Sequence, residues 1–185
     1  MEQTYELKVG QLKRTLPIIP INDTTAIASF VLLGDSELAH EAAQQLSTKI
    51  TENFDYIVTL ECKGIPLAEE MSRLTNHPKF VVLRKSVKAY MTDPLEVSVK
   101  SITTTDEQKL VLDGHDAEQL AGKHVILVDD VISTGGSLEA AERLLTKAHA
   151  KTVAKCAILA EGDAANRTDI IYLEKLPLFS IKSGK

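Results

Sequence analysis

Residues 125–145 read VILVDDVISTGGSLEAAERLL: four apolar residues, two adjacent aspartates, a run of small Ser, Thr and Gly, then a pattern of helical period. This order limits the fold more tightly than any other stretch of the chain. A strand that is continuously apolar suits a parallel sheet covered on both faces, and in open parallel sheets ligands sit beyond the carboxyl ends of the strands. The run Ser133, Thr134, Gly135, Gly136, Ser137 supplies consecutive backbone N–H groups free of bulky side chains, followed by the positive end of a helix dipole. That is a nest for an anion, most naturally phosphate. Asp129 and Asp130 cannot hold the same phosphate, because two carboxylates beside it would repel it. They must serve another part of the ligand. Vicinal hydroxyls donate to carboxylates, so a ribose 5-phosphate satisfies the whole stretch.

The rest of the chain alternates strand and helix in the manner of an α/β protein. Asp35 or Ser36 caps a predicted helix with apolar positions at Leu38, Ala42, Leu46 and Ile50. DYIVTLE (55–61) is a predicted strand, and Gly64 precedes a second helix through Leu67, Met71 and Leu74. KFVVLR (79–84), HVILVDD (124–130) and TVAKCAILA (152–160) are further strands. Two regions depart from this rhythm. Residues 86–115 are long and polar, yet LEVSVKSIT and QKLVLDG each alternate and are expected to pair as an antiparallel excursion serving as a lid. The apolar, proline-punctuated segments at the two ends lack helical period and are expected to form a small cap. The expected organisation is therefore an N-terminal cap segment over 1–34, a core over 35–165 carrying the lid at 86–115, and a C-terminal cap segment over 166–185.

Several function classes are disfavoured. The formal net charge of -5 and pI near 5.6 provide no global basic field for nucleic acid. No apolar run approaches the roughly 18 residues of a membrane span, and the N-terminus lacks a basic-then-apolar leader, so a cytoplasmic location is expected. Cys62 and Cys156 lie far apart with no CxxC spacing, and the five histidines form no HExxH pair, which argues against disulfides and an all-protein zinc site. The phosphate motifs GxxxxGK[ST] and GxGxxG after a strand are both missing.

VILVDDVISTGGS resembles the phosphoribosyl-pyrophosphate (PRPP) signature of type I phosphoribosyltransferases, and the resemblance covers most of the chain. It implies that family's fold: a Rossmann-like parallel sheet flanked by helices, a hood built from both terminal segments, and a flexible β-hairpin lid. Asp129 and Asp130 then contact the ribose hydroxyls, and Ser133 to Ser137 hold the 5-phosphate. ECKGIP (61–66) resembles the family's pyrophosphate loop, with Glu61, Cys62, Lys63 and Gly64, and implies a cis non-proline peptide at Glu61–Cys62 or Cys62–Lys63. LRKSVK (83–88) resembles a basic cluster that meets pyrophosphate, implying roles for Arg84, Lys85 and Lys88, with Lys85 grouped with the two aspartates as catalytic. Mg2+ is implied as a cofactor carried by PRPP near Asp129 and Asp130 with few direct protein ligands. A homodimer is implied as well, whose basic residues reach across the interface.

The resemblance to purine-specific members implies transfer of the phosphoribosyl group from PRPP to a purine, releasing pyrophosphate and a nucleoside monophosphate in purine salvage. Length, RKxxK and DDxxxTGG are similar to adenine phosphoribosyltransferases. The lid reads SVKSITTT, with Thr103 or a neighbour where those enzymes usually carry glutamate, and this looks more like xanthine phosphoribosyltransferases and related purine repressors. Glu161 and Asp163, after the strand CAILA, are acceptors suited to an exocyclic amine and favour adenine. Ile27 or Phe30 in the cap, with Val131 and Ile132, could sandwich the planar base. A hypoxanthine/guanine or xanthine enzyme, one for a pyrimidine or other acceptor, and a non-catalytic PRPP sensor are the alternatives.

Overall fold

A computed structural model describes residues 3–99 and 108–181. Its centre is a five-stranded sheet in the order β10-β9-β8-β4-β5, parallel throughout. The strands are β4 (Tyr56–Leu60), β5 (Phe80–Leu83), β8 (His124–Ile132), β9 (Lys151–Glu161) and β10 (Ile171–Leu176). Continuous apolar sequence has the expected consequence: consecutive residues of one strand face two different cores. Ile126 and Val128 of β8 pack in one core with Leu38, Ala42 and Leu46 of α1 (Ser36–Lys49) and Leu67 and Met71 of α2 (Ile65–Leu74). Val125 and Leu127 pack in the other, with Leu144 and Leu145 of α4 (Gly136–Lys147) and Leu120 of α3 (Gly114–Leu120).

Helix α1 begins where its cap requires. The Asp35 side chain accepts the Leu38 backbone N–H at 3.1 Å and holds Arg14 Nε at 2.6 Å. Arg14 lies on β2 (Leu12–Pro20), so one carboxylate both starts the helix and ties it to a second sheet. That sheet runs β1-β2-β3-β11, with β1 (Thr4–Val9), β3 (Thr25–Ala28) and β11 (Leu178–Ser180) antiparallel to their neighbours.

Three expectations need correction. Ile171–Leu176, assigned from sequence to the C-terminal cap, forms the edge strand of the main sheet, while among the described residues β11 is the strand of that segment that pairs with the N-terminal strands. Strand β8 runs two residues past Asp130, because Val131 and Ile132 continue to pair with Leu159 and Ala160. The excursion at 86–115 does form an antiparallel hairpin, β6 (Leu95–Val99) with β7 (Gln108–Leu112). Its returning arm is not free: Leu110, Val111 and Leu112 are buried, Val111 bridges the Arg84 backbone, and the segment closes into α3, too short for its period to be read from sequence. Arg143 and Lys147 of α4 donate to the Ser98 and Glu96 carbonyls and hold the outgoing arm as well. Thr103 and its lid neighbours lie outside the described residues. Among the described residues no helix is long and apolar enough to cross a membrane.

Candidate active site

Parallel strands in the order β9-β8-β4-β5 bring their carboxyl ends to one edge, with β8 between β9 and β4. The loops after β4, β5, β8 and β9 therefore meet, although they are up to 100 residues apart in sequence, as from Glu61 to Glu161. This is where the sequence-predicted phosphate, ribose and pyrophosphate residues come together.

The loop after β8 forms a small cradle of about 70 Å³ lined by Asp129, Val131, Ile132, Ser133, Thr134, Gly135, Gly136, Ser137 and Leu138. Gly135 caps α4 at φ +85°, a left-handed conformation that glycine adopts without the Cβ penalty. The turn thus delivers the N–H groups of the first helical turn to the cradle.

The two acids have different surroundings. Asp130 is 3% exposed, and its Oδ2 accepts no hydrogen bond among the described residues; Lys63 Nζ lies 3.3 Å away. The Oδ1 of Asp129 accepts the backbone N–H of Asp130 at 2.9 Å. Burial first, and then the charge of Asp130, push the Asp129 carboxyl up to about 8. A buried carboxylate oxygen whose one nearby donor among the described residues is a flexible lysine has lone pairs left to accept from a hydroxyl.

The loop after β4 carries a cis peptide at Glu61–Cys62, one of the two bonds singled out from sequence. Gly64 is required by close approach: a Cβ there would collide with Thr59 Oγ1 and lie 3.1 Å from Asp129 Oδ1. Absence of a side chain at 64 lets this loop press against the β8 acids. Cys62 is exposed, whereas Cys156 is fully buried, its thiol pushed up to about 12 by desolvation, as expected of a core residue.

The basic cluster holds an acid of its own. Glu61 accepts the Lys85 N–H at 2.9 Å and pairs with Arg84 at 3.1 Å and Lys88 at 3.9 Å. The Lys85 hydrogen bond and then Arg84 hold the Glu61 carboxyl below the usual carboxylate range. The Lys85 ammonium is exposed, with no ion-pair partner among the described residues.

A larger cavity of about 400 Å³ is lined by Ser133, Thr134, Glu161, Asp163, Ala164, Arg167 and Leu178. Burial raises the Glu161 carboxyl, opposed by nearby Lys63. Of the residues expected to form the base pocket, Glu161, the expected acceptor, lines this cavity, and Val131 and Ile132, expected to sandwich the ring, line the phosphate cradle instead. Phe30 packs in the core at 7% exposure, drawn there by the apolar residues of β1 and α1. Ile27 is half-buried and pairs across the hood with Leu178, which does reach the cavity. Sequence reasoning missed Arg167 and Leu178. Leu178 carried one signal, an apolar residue beside Pro177 in a short strand; Arg167 carried none.

Among the described residues no three His, Cys, Asp or Glu side chains converge as a metal cage. The buried Asp130 Oδ2, with Lys63 at 3.3 Å and Asp129 beside it, suits a divalent ion brought in on a ligand's own oxygens; these two acids are the residues that would hold it.

Residues 36–176 match the phosphoribosyl transferase domain family. The chain is 37% identical over 141 residues to hypoxanthine/guanine phosphoribosyltransferase of Methanococcus voltae, covering 76% of this chain and 71% of that protein. It is 33% identical over 172 residues to the protein of the same name from Methanotorris igneus, covering 91% and 86%. Adenine phosphoribosyltransferase from Thermoanaerobacter pseudethanolicus has a similar fold, with TM-score 0.66 at 20% identity over 78% of this chain and 84% of that one. So does the Giardia lamblia enzyme complexed with 9-deazaadenine, with TM-score 0.65 at 17% identity over 93% of each chain.

Proposed function

This chain belongs to the type I phosphoribosyltransferase family, in its purine branch, and on that premise we propose that it transfers the 5-phosphoribosyl group of PRPP to hypoxanthine or guanine. The observation that carries the transfer is the placement of a buried acidic oxygen, Asp130 Oδ2, paired with Lys63 at 3.3 Å and otherwise without a donor among the described residues, beside a neutral backbone nest, Ser133 to Ser137, at one strand end. Phosphate in the nest and ribose hydroxyls on the acids orient the anomeric carbon toward the loops after β4 and β5.

Displacement at that carbon breaks its bond to a pyrophosphate oxygen and forms one to a purine nitrogen, whose proton is given up to the departing pyrophosphate or to water. Positive charge grows on the ribose and negative charge on the departing group. Lys63, Arg84, Lys85 and Lys88 stand where they neutralise the departing oxygens, and the acids on β8 stand on the ribose side. Asp129 and Asp130 are the residues that would hold a Mg2+ ion carried in by PRPP, which would add to the neutralisation of pyrophosphate. The β6–β7 hairpin is the element available to exclude water. Exposed Val87 and Tyr90 beside the basic cluster suit a homodimer contact, which sedimentation velocity tests.

The relatives' name favours hypoxanthine or guanine, and the Glu161 carboxylate is an acceptor for the N1–H such bases carry. Adenine is the second reading, favoured by the same carboxylate, which equally accepts from an exocyclic amine. Incubation with PRPP, Mg2+ and each of hypoxanthine, guanine, xanthine and adenine, with competition between them, decides. The expected result is nucleoside monophosphate from hypoxanthine or guanine, lowered about tenfold or more by Asp130→Asn or Lys85→Ala without loss of fold. Product from no base would leave a PRPP-binding sensor and overturn the proposal.

A further inference from the structure

The five residues of the β8 loop carry no cation, and Asp129, Asp130 and Glu139 lie within four residues of it. A phosphate dianion there is served by backbone dipoles but surrounded by acids. Lys63, Arg84 and Lys88 are committed to Asp130 and Glu61 on the pyrophosphate side.

A different cation reaches the loop. The Arg167 guanidinium is clamped by Asp169, Nε to Oδ1 at 2.9 Å and Nη2 to Oδ2 at 2.8 Å. Asp169 is itself fixed by Lys155 Nζ at 2.8 Å, and Lys155 by Glu142 of α4 at 3.2 Å. The fork consumes Nε and Nη2 and leaves Nη1 without a hydrogen-bond partner among the described residues. That nitrogen faces the loop: a Cβ on Gly135 would lie 2.5 Å from it. Arg167 also shares the larger cavity with Ser133 and Thr134. Two arms of the guanidinium are fixed, and the third is presented to the loop that lacks a cation.

We infer that Arg167 is a binding residue for the 5-phosphate of the ribosyl ligand, donating through Nη1, with Asp169 and Lys155 positioning it. The inference rests on the phosphoribosyltransferase reading of the site and adds to it a residue outside the signature loop. The Arg167, Lys155, Asp169 and Glu142 cluster sums to zero charge, so the contribution is a directed donor rather than a broad field. It also accounts for Gly135 by a second requirement besides its positive φ, since any side chain there would displace the guanidinium.

The test is calorimetric titration with ribose 5-phosphate, which carries the phosphate but neither pyrophosphate nor base, and separately with inorganic pyrophosphate and with the free purine. Arg167→Gln is expected to weaken ribose 5-phosphate binding about tenfold or more, the scale of a charge-assisted hydrogen bond. Its pyrophosphate and purine affinities should stay within about twofold, a difference below 0.5 kcal/mol. Arg167→Lys, which keeps the charge but cannot hold the fork and present a third nitrogen, should recover only part of the loss. Asp169→Asn should give a smaller loss of the same selectivity. If Arg167→Gln does not fold, the selectivity of Arg167→Lys and Asp169→Asn decides by the same criterion. Unchanged ribose 5-phosphate affinity in a folded variant, or a loss confined to the purine, overturns the assignment. No binding of ribose 5-phosphate by the unsubstituted protein would overturn the family reading of the site and this assignment with it.

Discussion

Lys63 Nζ stands 3.3 Å from Asp130 Oδ2, so the pyrophosphate loop and the ribose-side acids neutralise each other across the gap that PRPP is proposed to fill. Ligand must replace this contact on both sides: ribose hydroxyls take over Asp130, and pyrophosphate oxygens take over Lys63. Lys63→Gln is accordingly expected to weaken pyrophosphate binding about tenfold, the scale of a charge-assisted hydrogen bond. Titration of pyrophosphate into the variant checks this, and unchanged affinity would contradict it.

Glu61 has the opposite effect on the same ligand. Its carboxylate occupies Arg84 and Lys88 and must be displaced or outcompeted by an incoming anion. Glu61→Gln keeps an acceptor for the Lys85 N–H but removes the competing charge. Pyrophosphate should then inhibit about two- to fivefold more strongly, the modest size reflecting partly exposed pairs. Weaker inhibition would show that Glu61 organises the cluster instead of competing for it.

Close packing at Gly64 gives a stability prediction. Gly64→Ala sets a methyl against Thr59 Oγ1 and 3.1 Å from Asp129 Oδ1, an overpacking expected to cost about 1–3 kcal/mol in denaturant unfolding. Thr59→Ala in that background removes one of the two obstacles and should recover part of the loss. A Gly64→Ala protein as stable as its parent would mean that the β4 loop is free to move away.

The folded protein holds a proton on Asp129 up to about pH 8, whereas in the unfolded chain the same carboxyl titrates near 3.8. Between those values the native state binds the extra proton, so stability falls as pH rises through the window. The lowered carboxyls, Asp35, Glu61, Glu70 and Asp169, contribute stability that is fully present only above their unfolded values, so their effect is confined to the acid side. Burial raises the Glu161 and Asp116 carboxyls in the same sense, so melting temperature should decline from about pH 5 to pH 8, and Asp129→Asn should remove part of that decline. An equally steep decline in the variant would assign it elsewhere.

Legibility in the sequence followed how local each feature is. The acidic pair, the small-residue loop and the helix after it are contiguous, so their chemistry could be read without knowing the fold. The outgoing hairpin strand was visible because Leu95, Val97 and Val99 alternate with polar residues, whereas its partner ends in Leu110, Val111 and Leu112, all buried, so the anchoring of the returning arm was not. Strand β10 was misplaced because IYLEKL is an edge strand with mixed exposure and a proline after it, which from sequence looks like cap structure. Phe30 suited a base pocket by residue type alone; its burial is decided by contacts from β1 and α1 that no local pattern reveals. Arg167 lies 32 positions from Gly135, and only the turn after β9 brings them together.

The central claim is that the β8 acids and the loop after them grip opposite ends of one sugar phosphate. A crystal structure with PRPP and Mg2+ measures this directly. The account predicts the 5-phosphate within hydrogen-bond distance of the backbone N–H groups of Ser133–Ser137 and the ribose hydroxyls on Asp129 and Asp130. A phosphate bound elsewhere, with both acids left to solvent or to Lys63, would contradict it.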